Sequence, residues 1–340
     1  MTERINRQLV LKSRPQGMVS PDNFDLIETP VPSPEAGEVL VRNLLLSCDP
    51  TQRGWMSIDT YLPAVRIGEV MRAGAAAEVV ESNHESFQRG QLVQGMFGWQ
   101  DYCLARPGTA TAPTPLIPGV SPEVALSVLG LNGLTAYFGL IEIGRPKQGE
   151  TVVVSAAAGA TGSAAGQIAK ALGCRVVGLA GGPDKCRRVL ELGFDAAIDY
   201  KGEDVPARLR ELCPNGIDVY FDNVGGPILD AVLARLALAG RIVLCGGISV
   251  YNNDRPTPGP SNYLTLVSRR GRMEGFIVLD YLPRAAEAIP VLMGWMAEGK
   301  LKHEIDLVEG LENAPAALAR LFKGENHGKQ LVKIADAGAG

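Results

Sequence analysis

Histidine is scarce in this chain, with only His84, His303 and His327 among 340 residues. Cysteine is little commoner: Cys48, Cys103, Cys174, Cys186, Cys213 and Cys245 are scattered, and no two form a CxxC pair. A structural zinc loop of four closely spaced thiolates is thereby excluded, and metal chemistry starts with few donors. Charge is sparse too: 33 Lys plus Arg against 37 Asp plus Glu give a net −4, with no block of either sign. Without a basic face, nucleic acid is not an expected partner. Residues 1–17 are basic but lack the apolar core of a secretory leader, so reduced thiols and a cytoplasmic location are predicted. Two charge-free stretches, 124–141 and 151–169, could span a bilayer by length alone. Ser127, Asn132 and Thr135 interrupt the first and a small-residue turn interrupts the second, so both read as buried core rather than membrane.

What is present is apolar: 46% hydrophobic residues, ample for the two domains expected at roughly 150 residues each. Short β segments at 8–12, 24–28, 38–46, 75–81 and 91–95, broken by Pro and Gly, suggest a small barrel or sandwich in the first 120 residues. From residue 150 strands and helices alternate. The predicted strands are 151–155, 175–180, 196–200, 218–222, 241–245 and 273–279. The predicted helices are 162–172, 183–192, 205–212 and 227–238. Strand–helix alternation at this spacing implies an α/β fold with a doubly wound parallel sheet. A helix at 315–322 and a strand at 329–334 end the chain.

The most informative segment runs from Thr151 to Gly166, a buried strand entering a turn of Ala and Gly and leaving as a helix. Gly159 and Gly162 are expected to let the backbone turn tightly and approach a pyrophosphate, with Ala160 and Thr161 between them opening the helix. The helix N-terminus offers free N–H groups to that anion. Gly166, one turn on, is expected to clear the helix–strand contact. The GxxGxxxG spacing departs from GxGxxG, but its place after the first strand of a βαβ series points to a dinucleotide. An NAD site wants an acid at the end of the next strand, to accept from the ribose 2′-OH. Here that strand ends in Gly181-Gly-Pro-Asp-Lys185, with Asp184 expected as a helix N-cap and Arg187 and Arg188 following. Lys185 is placed to meet a 2′-phosphate, so NADP(H) is expected over NAD(H). At least one of the two arginines is expected on a solvated helix face.

At these residues the chain resembles the zinc-independent branch of the medium-chain dehydrogenase/reductase superfamily. It is most similar to the leukotriene/prostaglandin reductases, alkenal double-bond reductases and curcumin reductases. The resemblance rests on ordered strings across the chain, among them Leu46-Ser-Cys-Asp-Pro50, Gly133-Leu-Thr-Ala-Tyr137, Asp222-Asn-Val-Gly-Gly226 and Leu311-Glu-Asn-Ala-Pro315. It implies a GroES-like catalytic domain from residues 1–128, completed by 306–340, and a Rossmann NADP-binding domain at 129–305. It further implies that Gly159, Ala160, Thr161 and Gly162 form the pyrophosphate turn and that Lys185 and Tyr200 grip the 2′-phosphate. Asn223, after the fourth strand, would contact the cofactor, and Cys245, Gly246 and Tyr251 would belong to the loop beside the nicotinamide ribose. Phe276, Ile277 and Val278 would form a strand whose backbone holds the carboxamide, and Asn326 would be the tail residue returning to the cofactor. The family usually forms homodimers through Rossmann edge strands, with 273–279 as the plausible edge here.

Cys48-Asp49 survives from the zinc enzymes of the superfamily, but Gly68-Glu69-Val70 stands where Gly-His-Glu is expected. No metal is therefore predicted, and Cys48 reads as a buried small residue. Without a Lewis acid the substrate must carry its own activation, as an enone or enal does. Hydride arriving at the β-carbon then leaves charge on the carbonyl oxygen, which needs a hydrogen-bond donor. Tyr251, in a Gly/Pro-rich loop, is the leading donor, with a role confined to binding substrate as the alternative. Tyr61 is a weaker candidate for lining the pocket. Related reductases commonly have Tyr where this chain has Thr51, which leaves substrate identity open. Quinone reduction, zinc-free alcohol oxidation and cofactor binding without turnover remain as alternatives.

Overall fold

The structure, a computed structural model, describes residues 4–253, 255 and 257–338; Asp254 and Pro256 of the predicted Tyr251 loop lie outside them. The chain divides into two units, residues 1–126 with 305–340 and residues 127–304.

In the first unit β1 (Ile5–Leu11) and β2 (Phe24–Pro30) form an antiparallel pair. β3 (Val39–Ser47) is buried along its whole length because it is flanked on both sides. It pairs antiparallel with β4 (Ala75–Ser82), which pairs with β5 (Leu92–Gly95). β6 (Tyr102–Ala105) also pairs with β3, and β7 (Thr114–Pro115) with β5. A short helix, α1 (Thr51–Trp55), follows β3, and α2 (Pro122–Ala125) closes the segment. Phe97, Trp99, Met56 and Met71 fill the core between them.

The second unit begins with α3 (Leu131–Phe138), which runs into a π-helical turn at Gly139–Gly144. This is the charge-free stretch that length alone would have sent through a membrane; among the described residues no helix is long and apolar enough to cross one. Then come β8 (Thr151–Val154), α4 (Ala160–Ala171), β9 (Arg175–Ala180), α5 (Pro183–Glu191) and β10 (Ala196–Asp199). The second half contains α6 (Val205–Leu212), β11 (Ile217–Asp222), α7 (Gly226–Leu233), β12 (Leu236–Leu244), α8 (Thr265–Arg269), β13 (Arg272–Gly275) and α9 (Ala285–Ala297). All six strands are parallel, in the order β10-β9-β8-β11-β12-β13. The order reverses between β8 and β11, the switch point where a doubly wound sheet opens a crevice.

Two predicted elements end early. The helix expected to reach residue 238 stops at Leu233, and Leu236 starts β12, paired with Ile217 of β11. The strand expected to reach 279 stops at Gly275, opposite Leu244, where its partner strand also ends. Beyond that point the chain has no neighbour to pair with, and Val278–Arg284 coils into a 3-10 helix.

The tail returns to the first unit. It adds β14 (Ile305–Glu309), which the sequence reading did not anticipate, α10 (Ala314–Lys323) and β15 (Lys329–Lys333). β15 joins β3 antiparallel and β14 parallel, which makes the sheet seven-stranded.

Candidate active site

Ser155, fully buried, ends the β8 segment, and Ala156 turns the chain with φ of 49°, a left-handed conformation in a residue other than glycine. The Ala157 N–H donates to Leu179 O at 3.0 Å, and the Gly159 N–H donates to Ala156 O at 2.9 Å. Gly159 caps α4 without any side-chain acceptor, so the first N–H groups of Ala160 and Thr161 are left to an anion. A Cβ on Gly162 would sit 2.3 Å from Ala156 O, so only glycine lets the helix start against its own turn. A Cβ on Gly166 would strike the Phe194 ring at 1.8 Å, so this glycine admits that ring against the helix. The acid-free end of β9 and this uncapped, small-residue turn fit a phosphate-bearing dinucleotide.

On one side of the turn lie Lys185 and Tyr200. Lys185 is half-buried in the first turn of α5, and Tyr200 follows β10 with its ring tip against Gly181. Burial pushes the Tyr200 phenol up, and Asp199 adds to the effect. The Asp199 carboxyl itself is held low because it accepts the N–H groups of Gly182, at 2.7 Å, and Lys201, at 2.9 Å. Asp184 is not the N-cap: Gly182, at φ of 100°, has that place, and Asp184 pairs with Arg187. Arg188 is not simply solvated either, since it pairs with Glu304 and Glu191.

On the other side, the ends of β8, β11 and β12 are stitched together by polar groups. Asp222 is wholly inaccessible; its Oδ1 accepts the Tyr220 hydroxyl at 2.8 Å, the Ser155 hydroxyl at 3.2 Å and the N–H groups of Val224 and Gly225 at 2.9 Å. Its Oδ2 is buried with no partner among the described residues, and burial raises its pKa. Asn223 donates its side-chain amide to Ser155 O at 2.7 Å, which leaves its oxygen as the group that can meet a ribose hydroxyl. The N–H groups of Cys245 and Gly246 donate to Asp222 O, and those of Ile248 and Ser249 to Asn223 O and Val224 O. This stitching brings the Tyr251 loop beside Asn223. The Tyr251 hydroxyl accepts the Gly247 N–H at 3.1 Å, and a Cβ on Gly246 would lie 3.0 Å from it. Burial pushes the Cys245 thiol up to about 12, so it is no nucleophile. Phe276, Ile277 and Val278 are not a strand, as noted above. Instead the Phe276 ring packs where a Cβ on Gly139 would be, at 2.7 Å, beside Phe221.

Sequence reasoning did not single out Ser155 and Asp222, although a polar residue closing an otherwise apolar strand was a readable signal. It also passed over Asn132, which donates to Thr161 Oγ1 at 3.1 Å. Accepting that N–H turns the Thr161 hydroxyl proton away from α3.

In the first unit, Tyr61 is exposed and shares a 2.7 Å hydrogen bond with Thr51, its ring edge-on to Trp55. Asn326 is buried and donates to Gly328 O at 2.9 Å. The Cys48 thiol is pushed up to about 12 by burial. Lys329, 2% exposed, donates to Cys48 O at 3.1 Å and to Asp49 at 2.7 Å. Gly68–Val70 is a turn in which Glu69 pairs with Arg66. Among the described residues no three His, Cys, Asp or Glu side chains gather as a metal site.

Residues 7–112 match the family model described as the N-terminal domain of oxidoreductase, and residues 160–298 match the model described as zinc-binding dehydrogenase. The chain is 45% identical to the NADPH-dependent curcumin reductase of Escherichia coli, over 97% of each chain. It is 42% identical to the NADP(+)-dependent 2-alkenal reductase of Nicotiana tabacum, over 98% of this chain and 99% of the relative. The crystal structure of CurA from Vibrio vulnificus in complex with NADPH superposes with a TM-score of 0.92 at 43% identity, covering 97% of this chain and 99% of that one. With this agreement in sequence and fold along nearly its whole length, the chain belongs to the medium-chain dehydrogenase/reductase superfamily, in the branch of the curcumin, 2-alkenal and prostaglandin reductases.

Proposed function

We propose that the protein is an NADPH-dependent reductase of the carbon–carbon double bond of α,β-unsaturated ketones or aldehydes, working without a metal. The observation that carries this reading is the Tyr251 hydroxyl, held by the Gly247 N–H beside the loops that close the β11 and β12 ends. A phenol that accepts an N–H is polarised toward donating its own proton. That suits it to the carbonyl oxygen on which charge develops, and the names of the relatives support the same chemistry.

When bound, the reduced nicotinamide supplies the hydride. The protein supplies position and charge. Gly159, Ala160, Thr161 and Gly162 hold the pyrophosphate, and Lys185 and Tyr200 the 2′-phosphate. Asn223, Cys245, Gly246 and the backbone of Phe276, Ile277 and Val278 orient the nicotinamide half. On the first unit, Asn326 keeps the cofactor contact that the resemblance implies, and Tyr61 lines the substrate pocket. Tyr251 donates to the carbonyl oxygen, and the α-carbon takes its proton from water or a tyrosine. In this reading residues 1–126 with 305–340 are the GroES-like catalytic domain and 127–304 the Rossmann domain. The protein works in the cytoplasm as a homodimer paired through the sheet-edge strand β13.

The test is a panel of enones, enals, quinones and alcohols with NADPH, with products identified by mass spectrometry. One NADPH consumed per saturated ketone or aldehyde is expected. Consumption with quinones alone, or NADPH bound without turnover on any of them, overturns the proposal.

A further inference from the structure

The end of β9 carries a steric device as well as a charge. Gly181 is not among the glycines with positive φ, so its backbone would accept a side chain. Yet a Cβ built there would lie 2.6 Å from the Tyr200 hydroxyl, 2.8 Å from the ring carbon bearing it and 3.0 Å from Cε of Lys201. A side chain at position 181 would have to displace the tips of two others, the Tyr200 phenol and the Lys201 stem. The arrangement is tied down: Tyr200 N–H donates to Ala180 O at 3.1 Å, and Asp199 accepts from both Gly182 and Lys201. The loop after β10 is thus anchored to the loop after β9.

In a dinucleotide site, the end of the second strand, here Ala180 and Gly181 beside it, is where a carboxylate takes the ribose 2′-OH of the unphosphorylated coenzyme. We propose that Tyr200 and Lys201 exclude that carboxylate from position 181, with Lys201 serving as a second cation for the 2′-phosphate beside Lys185. Selection against NADH is then built in by occupancy, alongside attraction for NADPH. This rests on the reading of the glycine turn as an NADPH site.

The experiment measures dissociation constants of NADPH and NADH by calorimetry for the whole protein and its Gly181→Asp, Tyr200→Ala, Gly181→Asp/Tyr200→Ala, Gly181→Asp/Tyr200→Phe and Lys201→Ala variants. Gly181→Asp alone is expected to weaken NADPH about tenfold and to gain nothing with NADH, because its carboxylate finds no seat. Adding Tyr200→Ala opens the seat, and NADH then binds about tenfold tighter than to Gly181→Asp alone, so the two changes do not add. Adding Tyr200→Phe instead leaves the block, since the ring tip remains. Lys201→Ala, on an exposed side chain that leaves the fold intact, is expected to weaken NADPH several-fold and spare NADH. If Gly181→Asp alone gains NADH as fully as the double variant, or the double variant gains none, the exclusion is overturned. If Lys201→Ala weakens both coenzymes equally or neither, the second cation is overturned. Failure of the underlying site reading is distinguishable: the unaltered protein would then prefer neither coenzyme, or Lys185→Ala would weaken both alike.

Discussion

The two units each set a carboxylate at the end of a central strand, and they satisfy it in opposite ways. In the first, Asp49 just past β3 takes the ammonium of the buried Lys329, which also holds Cys48 O and so ties β15 to the end of β3. In the second, Asp222 at the end of β11 meets no cation among the described residues, only two hydroxyls and two backbone N–H groups. An ion pair closes a strand end, because neither charge can leave without stranding the other. Neutral donors hold the Asp222 carboxyl while burial raises its pKa.

The largest effect should come from breaking the charged side of this contrast. Lys329→Met is expected to cost about 3 kcal/mol, the lower end for a broken buried pair because Asp49 is 21% exposed. Urea denaturation measures it, and a loss below about 1 kcal/mol would make the pair no more than a surface bridge and erase the comparison. Next comes the claim that the second unit works through oriented hydroxyls. Tyr251→Phe should lower kcat about 100-fold, roughly 2.7 kcal/mol, while NADPH affinity holds. Stopped-flow kinetics and a binding titration check both halves, and an unchanged kcat would reduce Tyr251 to lining.

The smallest effect concerns Asp222 itself. Its pKa is raised in the fold, so the stability linked to its protonation is complete below the unfolded value of about 3.9 and is lost as pH rises through the folded one. Asp222→Asn is neutral throughout. Relative to it, the unaltered protein should lose stability as pH rises above about 3.9. Tyr220 and Cys245 face the same carboxyl, but burial pushes both upward, so neither loses its proton before Asp222 in that range. A difference that does not change with pH would mean Asp222 is charge-satisfied, as Asp49 is.

Much of the second unit was readable because its signals are local. The runs at 151–154 and 175–180 are apolar enough to be central strands, and the small residues from Ala156 to Gly162 mark the turn between strand and helix. Boundaries failed where a partner decided them. Leu236 became strand because Ile217 was there to pair with, and the segment after Gly275 left the sheet because Leu244 was the last residue opposite. Gly166 shows the same limit: the need for a glycine was legible, but not the Phe194 ring that imposes it.

By itself the sequence determined the parallel α/β architecture, the position of the phosphate turn and the lack of an acid after β9, since each follows from residue size, polarity and periodicity within a dozen neighbours. Tertiary structure alone decided that Ser155 meets Asp222 across 67 residues, that Gly247 holds the Tyr251 hydroxyl and that Tyr200 fills the place of a side chain at Gly181. The first and last of those contacts depend on which strands become neighbours and how far each runs. Pairing energy across the whole sheet settles that, and no short window of residues contains it.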